Sequence, residues 1–380
     1  MRKIVDTQYS SKRIGKLPEG CRRCVKGEKL VLFVTGLCPR RCWYCPLSEK
    51  KKNKDVVYAN ERPTRKRNEI VEEAKLISAT GAGFTGGDPL VKINRTISYL
   101  KLLKNEFGDG FHIHLYTSGR GATPQNLRQL YKAGLDEIRF HPAKKDWDKI
   151  KKALEFDWSV GAEIPVLPKE IEKTKDFIRY LDEIGVDFLN LNEFETSYTN
   201  VTAVERKGYK TRDDLSFSIL GVEKAANDLL KFCAKETNLR VHYCTVTLKD
   251  RFQVGNRLKR AAKNVSKEFD VITKEGLLIR GAIYLEELKP SFGFNEKIEK
   301  LTPQKKKQLL QILQKNKTLL QREYDIPPEL LFVDEKKLRI LTSIQVVEEL
   351  EKELKEKGLT PTIVEEYPTW DQLTVDLQLL

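Results

Sequence analysis

The chain lacks any long hydrophobic run and contains a single methionine, Met1, among its 380 residues. No stretch approaches the roughly 18 consecutive apolar residues of a transmembrane helix, so we expect no membrane span. The N-terminal sequence Met-Arg-Lys-Ile-Val-Asp is charged and has no apolar core, which argues against a secretory signal. These absences predict a cytoplasmic protein. No solenoid-length repeat is evident, which argues against a repeat architecture.

Charged residues make up 33% of the chain, and its net charge is +14. The abundance of Lys and Glu, with almost no methionine, suits the ion-pair surface of a hyperthermophile, and we take that origin as a hypothesis. The positive surplus has two interpretations, a solvated surface without a partner or an attraction for nucleic acid or another anion. Two local basic runs, at residues 50–54 and 249–263, favour an anionic substrate.

Seven cysteines in a chain without a secretory signal indicate a reducing compartment, where metal binding or catalysis outranks disulfide formation. Three of them, Cys38, Cys42 and Cys45, closely follow the apolar run Leu30–Thr35. Thiolates so close together converge on one centre, and a cubane iron–sulfur cluster has four irons to ligate. Three cysteines would leave the fourth iron open to a small molecule. The alternatives are a three-cysteine zinc site with a remote fourth ligand, or three unrelated thiols.

Apolar strands alternate with amphipathic helices from residue 29 onward. The predicted strands are Leu30–Thr35, Gly83–Thr85, His112–Thr117, Glu137–His141, Val160–Val166 and Phe188–Asn192. This alternation predicts the α/β class, with a parallel sheet and right-handed crossovers. The simplest arrangement is a partial, TIM-like (β/α)6 barrel, in which chemistry gathers at the carboxyl ends of the strands. A doubly wound sheet is the alternative.

The composition divides the chain into three segments. Residues 1–28 are polar and basic and predict an irregular lead-in that carries a C-x2-C pair. The barrel is expected over residues 29–249, with a further strand, Leu239–Tyr243, near its end. The pattern then changes, and residues 250–380 predict a basic C-terminal α+β extension.

A glycine turn, Thr85-Gly86-Gly87-Asp88-Pro89, follows the second predicted strand. Paired glycines let the backbone approach a ligand closely and present its N–H and C=O groups. Such a turn alone is an ordinary strand-to-helix connection. Its position one βα unit after the three cysteines favours a ligand-binding role, because both segments would lie at one rim of the barrel.

The three cysteines, the glycine turn and the sixfold βα pattern together resemble the radical S-adenosylmethionine (SAM) superfamily. Its signature is C-x3-C-x-aromatic-C after the first strand, matched here by Cys38, Cys42, Tyr44 and Cys45. The whole chain resembles archaeal proteins related to pyruvate-formate-lyase activating enzyme. The resemblance does not extend to a particular activase substrate.

The resemblance implies a [4Fe-4S] cluster on the three thiolates, with SAM chelating the fourth iron. Electron transfer from the cluster, reduced by a partner such as ferredoxin or flavodoxin, would cleave SAM to methionine and a 5′-deoxyadenosyl radical that takes hydrogen from the substrate. It also implies cofactor contacts from the aromatic residue of the signature, the glycine turn and the ends of the third to sixth strands. These residues are Tyr44, Thr85, Gly86, Gly87, Asp88, Pro89, Thr117, Ser118, Arg139, Glu163, Asn190 and Asn192.

The strand-end residues among these could equally be polar barrel residues with satisfied hydrogen bonds. Asp88 stands where the family more commonly has Glu, one methylene longer with the same charge. His141, at the end of the fourth strand, is as readily structural as functional. His112 and His114 alternate on one face of the third strand and predict packing or rim positions.

A second metal site is predicted from Cys21, Cys24, Cys244 and His242. A C-x2-C pair needs further ligands for a closed site, and Cys244 with His242 could supply them. The site would hold zinc or a second iron–sulfur cluster and would join the two ends of the barrel. The alternative is free thiols. Cys233, on an apolar helix face, is predicted to be a core residue.

Three hypotheses for function differ in class. A radical enzyme that modifies RNA is favoured by the net charge of +14. The second hypothesis is a radical enzyme of the oxidoreductase type that acts on a protein or small metabolite. In that case the charge is only a surface property. The third hypothesis is a non-enzymatic protein with a structural metal. It is disfavoured because such a protein needs neither an open iron nor a glycine turn. No second SAM motif, paired methyl-transfer cysteine or cobalamin segment is identified, so methylation is not expected.

Overall fold

The computed structural model describes residues 1–213, 216–291 and 293–380. These residues form two compact units, Met1–Arg257 and Leu258–Leu380. The first unit carries an 11-stranded sheet and the second a six-stranded sheet. The division between them falls a few residues beyond the predicted boundary at 249/250.

The first unit alternates strands with helices along most of its length. Its strands are β1 (Ile4–Thr7), β2 (Ser11–Ile14), β3 (Lys29–Thr35), β4 (Tyr58–Ala59), β5 (Arg62–Pro63), β6 (Gly81–Gly86), β7 (His112–Thr117), β8 (Glu137–Phe140), β9 (Ser159–Pro165), β10 (Phe188–Asn192) and β11 (Arg240–Cys244). Its helices are α1 (Glu19–Val25), α2 (Arg67–Leu76), α3 (Ile93–Phe107), α4 (Pro124–Lys132), α5 (Asp148–Ala153), α6 (Ile171–Glu183), α7 (Val201–Arg206), α8 (Val222–Glu236) and α9 (Gly255–Val265), the last of which spans the division between the units.

The strands β3, β6, β7, β8, β9, β10 and β11 lie side by side in that order, and each pair is parallel. The β1–β2 hairpin extends the sheet antiparallel to β11, and β4–β5 extends it antiparallel to β3. Among the strands that the structure describes, the two edge strands of this sheet, β1 and β5, do not pair with each other. The barrel is therefore open and partial. The predicted α/β class and partial barrel are confirmed.

Two details of the sequence prediction were wrong. The parallel core has seven strands rather than six, because the additional predicted strand joins the sheet as β11 (Arg240–Cys244). The lead-in is not irregular, because residues 1–28 form the β1–β2 hairpin and the helix α1. Short amphipathic strands at a sheet edge are only half-buried and therefore give a weak hydrophobic signal.

The parallel strands are buried on both faces, as covered parallel sheets are. Leu30, Leu32 and Val34 of β3 join the main core, and so do Ile113 and Leu115 of β7. The alternate residues of β7 belong instead to the barrel interior, which is polar over part of its depth. Period-two alternation thus separates an apolar outer layer from inward-facing groups that can do chemistry.

The second unit is an antiparallel sheet with helices, as the predicted α+β extension requires. Its strands are β12 (Val271–Ile272), β13 (Leu278–Leu285), β14 (Phe332–Asp334), β15 (Arg339–Thr342), β16 (Leu359–Glu366) and β17 (Thr374–Leu379). Its helices are α10 (Phe294–Lys300), α11 (Pro303–Glu323), α12 (Ile344–Glu349) and α13 (Glu351–Glu356). A buried Arg339 guanidinium binds the carboxylates of Asp334 and Glu366 inside this unit. None of the helices within the described ranges is long and apolar enough to cross a membrane.

Candidate functional site

The three clustered cysteines lie on the cysteine loop, residues 36–57, which joins β3 to β4 at the carboxyl end of the sheet. The loop is closed at its base, where the Gly36 N–H donates to the Lys54 carbonyl oxygen at 2.8 Å. Close by, the Arg95 guanidinium binds the Asp55 carboxylate through both oxygens. Those hydrogen bonds hold the pKa of Asp55 well below its usual range, so the ion pair persists at neutral pH.

Aromatic packing fixes the middle of the cysteine loop. The Trp43 ring stacks on Tyr209, with centroids 5.6 Å apart, and meets Phe194 edge-on at 5.7 Å. The Asn200 side chain also donates to the Tyr44 carbonyl oxygen at 3.0 Å. Because Trp43 lies between Cys42 and Cys45, this packing limits where both sulfur atoms can lie.

All three cysteines line one cavity of about 780 Å³, which we call the cysteine cavity. Its wall also contains predicted cofactor residues from the signature, the glycine turn and the end of β7, namely Tyr44, Gly86, Gly87, Thr117 and Ser118. The other predicted cofactor residues lie outside that wall as described, namely Thr85, Asp88, Pro89, Arg139, Glu163, Asn190 and Asn192. The structure therefore brings the two sequence motifs together around a space of ligand size.

The chemistry of this donor set suits an iron–sulfur cluster. Within the described ranges, no three His, Cys, Asp or Glu side chains are close enough to hold a single metal ion. A cubane cluster takes one thiolate on each of three irons, so its ligands surround the cluster rather than one ion. Burial raises the pKa of Cys38, and a nearby positive centre such as iron would favour its thiolate form. The residues thus fit a [4Fe-4S] cluster better than a mononuclear zinc site.

The glycine turn packs directly on the cysteine loop. A Cβ atom at Gly87 would lie 2.3 Å from the Leu37 carbonyl oxygen, so only glycine fits there. The Gly87 N–H donates to the Thr35 carbonyl oxygen at 2.7 Å, and the Asp88 N–H donates to the Leu37 carbonyl oxygen at 2.9 Å. With these N–H groups engaged, the turn can offer a ligand its carbonyl oxygens, which suit a cationic amino group.

Hydrogen bonds to the Asp88 carboxylate hold the glycine turn in place. Its buried carboxylate accepts hydrogen bonds from the Leu90 N–H, the Ser118 N–H, the Ser118 hydroxyl and the Thr117 hydroxyl, at 2.5–3.2 Å. Burial raises the pKa of Asp88, and these donors oppose that rise. Pro89 follows as the first residue of a short 3₁₀ turn. Asp88 therefore joins the glycine turn to the end of β7.

We expect the substitution Asp88→Ala to leave several buried donors without an acceptor and to release the turn. The free energy of unfolding should fall by about 3 kcal/mol, and the dissociation constant for SAM should rise about tenfold. Chemical denaturation and equilibrium dialysis measure the two effects. The exposed Asp109 provides the matched control, since Asp109→Ala should change neither quantity. Wild-type stability in Asp88→Ala would contradict this role.

The Tyr44 hydroxyl lies 2.8 Å from His141 Nε2, and His141 Nδ1 lies 2.9 Å from the Glu163 carbonyl oxygen. Burial and the nearby Arg40 lower the pKa of His141 to about 4, so the ring is neutral at pH 7. A carbonyl can only accept, so Nδ1 carries the proton and Tyr44 donates to Nε2. His141 therefore acts as a neutral support that orients the aromatic residue of the signature.

The strand-end residues Arg139, Glu163, Asn190 and Asn192 form one buried network. Glu163 accepts from Arg139 at 2.8 Å, from Asn190 at 2.8 Å and from Asn192 at 2.9 Å. Burial alone would raise the pKa of Glu163, but the Arg139 charge and these hydrogen bonds outweigh it and lower the pKa to about 2. Arg139 also binds Glu137. The network shapes the barrel interior below the cysteine cavity.

Sequence reasoning missed three members of this network. Glu137 and Tyr116 both contact Arg139, and so does the thiol of Cys21 at 3.4 Å. The period-two pattern of β7 and β8 contains the signal, since Tyr116 lies two residues beyond His114 and Glu137 two residues before Arg139. No such pattern points to Cys21, which α1 brings in from outside the repeat.

Among the residues described, Cys21, Cys24, Cys244 and His242 do not come close enough together to hold a single metal ion, which counts against zinc there, and a second iron–sulfur cluster stays a prediction. Cys21 contacts Arg139 and Asn190 inside the barrel instead. His242 lies 3.3 Å from the Ser11 hydroxyl. Cys233 is fully buried in the core, as predicted.

Comparison with known proteins finds related sequences over most of the chain. The family model of the radical SAM superfamily matches residues 32–187, and a model described as a domain of unknown function matches residues 276–378. A protein of Methanocaldococcus jannaschii with the provisional name glycyl-radical enzyme activating enzyme is 45% identical over 291 residues. That match covers 73% of this chain and 76% of the relative.

The similarity to solved structures is more distant. Streptococcus suis SuiB bound to its precursor peptide SuiA is 12% identical, with a TM-score of 0.43 over 57% of this chain and 48% of SuiB. Coproporphyrinogen III oxidase (HemN) of Escherichia coli, a radical SAM enzyme, is 12% identical, with a TM-score of 0.36 over 86% of this chain and 90% of its own. On the sequence matches, this chain is an enzyme of the radical SAM superfamily, whose cofactors are a [4Fe-4S] cluster and SAM.

Proposed function

We propose that this enzyme takes a hydrogen atom from a protein partner and leaves a radical on it. The reaction class is supported by the cavity in which the three cysteines meet the Gly86–Gly87 turn. The protein substrate is supported by the 45% identical relative, whose name assigns it the activation of glycyl-radical enzymes. RNA, which the net charge also suggested, has no comparable support.

When bound, the cluster and SAM together would supply a 5′-deoxyadenosyl radical. The side chains of Cys38, Cys42 and Cys45 would hold the cluster, and the carbonyl oxygens of the glycine turn would receive the amino group of SAM. The Trp43 packing and the Asp88 hydrogen bonds would keep the two segments at a constant separation. Such fixed geometry matters because hydrogen-atom transfer needs the radical carbon and the substrate hydrogen to be held close together and aligned.

His141 would contribute by remaining neutral beside the cavity. With a pKa of about 4 it carries no charge at pH 7, and its Nε2 accepts the hydrogen of the Tyr44 hydroxyl, which fixes the orientation of that hydroxyl. We also propose that the enzyme works in the cytoplasm and that a small electron carrier, such as ferredoxin or flavodoxin, reduces its cluster.

The proposal is tested by anaerobic reconstitution of the full chain with iron and sulfide, followed by reduction with dithionite and addition of SAM. We expect 5′-deoxyadenosine to form. Proteins extracted from the source organism grown in heavy water should then transfer deuterium into it, whereas RNA from the same cells should not. Deuterium transfer from RNA alone would replace the protein substrate with RNA. Absence of 5′-deoxyadenosine would contradict the reaction class itself.

A further inference from the structure

A second cavity of about 760 Å³ opens beside the cysteine cavity, and we call it the rim cavity. The two share wall residues from the cysteine loop and the end of β8, namely Arg40, Arg41, Cys42, Tyr44 and His141. The outer wall comes from the segment after β8 and from α6. A molecule in the rim cavity would therefore lie next to the space that holds the cofactors.

The rim cavity carries an excess of positive charge. Its basic residues are Arg40, Arg41, Arg120, Lys144 and Lys173, and its acidic residues are Glu170 and Asp176. Both acids already have basic partners, since Glu170 pairs with Lys173 at 3.6 Å and Asp176 with Arg179 at 3.0 Å. The acidic residues of the wall therefore do not neutralise the remaining cations.

Arg41 and Lys144 are the cations best placed to receive a ligand. In the described part of the chain neither has a carboxylate partner, whereas Arg120 pairs with Asp146 at 3.4 Å. Arg40 donates to the His141 carbonyl oxygen, which leaves its charge uncompensated. Lys144 Nζ lies over the Trp147 ring, 5.8 Å from the ring centroid. Unpaired cations facing a shared cavity attract anions.

The aromatic side chains of the wall favour a peptide over a nucleic acid. Single-stranded nucleic acid is bound by aromatic faces on which bases stack. Here Trp147 packs against Phe177 at 4.8 Å and stacks on Tyr180 at 5.2 Å, and Trp43 stacks on Tyr209. Tyr180 and Tyr209 each cover one face of Trp147 and Trp43, respectively, which reduces the ring surface on which a base could stack.

We propose that the rim cavity binds carboxylate side chains of the substrate protein, so that the segment presented to the radical is acidic. This inference rests on the proposed function and names the chemistry of its substrate. Arg41 lies between Cys38 and Cys42 in the sequence and lines both cavities. A carboxylate held there would place a neighbouring residue of the same peptide at the entrance to the cysteine cavity.

Binding of a fluorescein-labelled hexaglutamate peptide to the reconstituted full chain tests the inference by fluorescence anisotropy. We expect saturable binding that weakens as salt rises, and no comparable binding of hexaglutamine. Arg41→Gln and Lys144→Gln should each weaken hexaglutamate binding about fivefold. The exposed Lys132, on α4 outside the cavity, provides the matched control, and Lys132→Gln should bind normally.

Thermal unfolding of each variant shows whether it is folded. Because Lys144 lies outside the cysteine loop, Lys144→Gln tests the cavity without altering the loop that carries the cysteines. Equal binding of hexaglutamate and hexaglutamine, or unchanged binding in both cavity variants, would overturn the inference. So would tighter binding of labelled oligouridylate that the same two variants weaken, which would assign the cavity to RNA. Formation of 5′-deoxyadenosine is measured separately, so failure of this inference leaves the reaction class standing.

Discussion

The substitution Cys42→Ser is expected to abolish formation of 5′-deoxyadenosine and to lower the iron content of the reconstituted protein. Cys42 is the central cysteine of the loop and lines both the cysteine cavity and the rim cavity. Serine is nearly isosteric but replaces a soft thiolate with a hard hydroxyl, which binds iron–sulfur clusters poorly. We expect the rate to fall on the order of a hundredfold or more.

The matched control for Cys42→Ser is Cys24→Ser. Cys24 is a half-buried thiol on α1 and does not line the cysteine cavity. Iron content by ferrozine assay and 5′-deoxyadenosine by chromatography should both stay at the wild-type level in this control. Iron loss in Cys24→Ser would instead support the predicted second iron–sulfur cluster at Cys21 and Cys24. Full activity in Cys42→Ser would contradict the assignment of the loop.

The substitution Arg139→Leu is expected to destabilise the first unit by about 3–5 kcal/mol. It removes the guanidinium that binds the buried carboxylates of Glu137 and Glu163 and leaves both without their cation. A loss of this size is a large part of the total stability of a typical domain. Urea unfolding measures it, with Arg128→Leu, on the exposed side of α4, as a control expected to stay within about 0.5 kcal/mol of the wild type.

The same network should also make stability depend on pH in the acid range. The pKa of Glu163 is lowered to about 2 in the folded chain, below the roughly 4.3 of an unfolded one. A carboxylate with a lowered folded pKa stabilises the fold above its unfolded pKa, and this contribution is lost as pH falls towards 2. The difference in unfolding free energy between the wild type and Glu163→Gln should therefore shrink between pH 5 and pH 2. A difference that stays constant would show that Glu163 is not the titrating group.

The cysteine motif and the glycine turn could be predicted from the sequence because each is a short local pattern with a chemical reason. The strand positions followed from hydrophobic runs, which parallel strands need on both faces. The edge hairpin β1–β2 was missed, since half-buried edge strands lack that signal. The role of Asp88 was also out of reach, because its partners Thr117 and Ser118 lie on another strand and only the fold brings them together.

The single-ion form of the second metal site was not found among the described residues for a related reason. Cysteine spacing predicts a site only when the backbone directs the thiols to one point, and spacing alone does not give that direction. The helix α1 directs Cys21 to Arg139 and Asn190. Arg139 and Glu163, in contrast, lie on neighbouring strands as predicted and bind each other, while their contacts with SAM stay a prediction.

Electron paramagnetic resonance of the reduced, reconstituted protein tests the central claim most directly, because it reports the cluster and its open iron together. With about four irons per chain, we expect the signal of a reduced [4Fe-4S] cluster that changes shape when SAM is added. A zinc-loaded protein without that signal, or a cluster whose spectrum SAM leaves unaltered, would contradict a cubane held by three cysteines with one iron free.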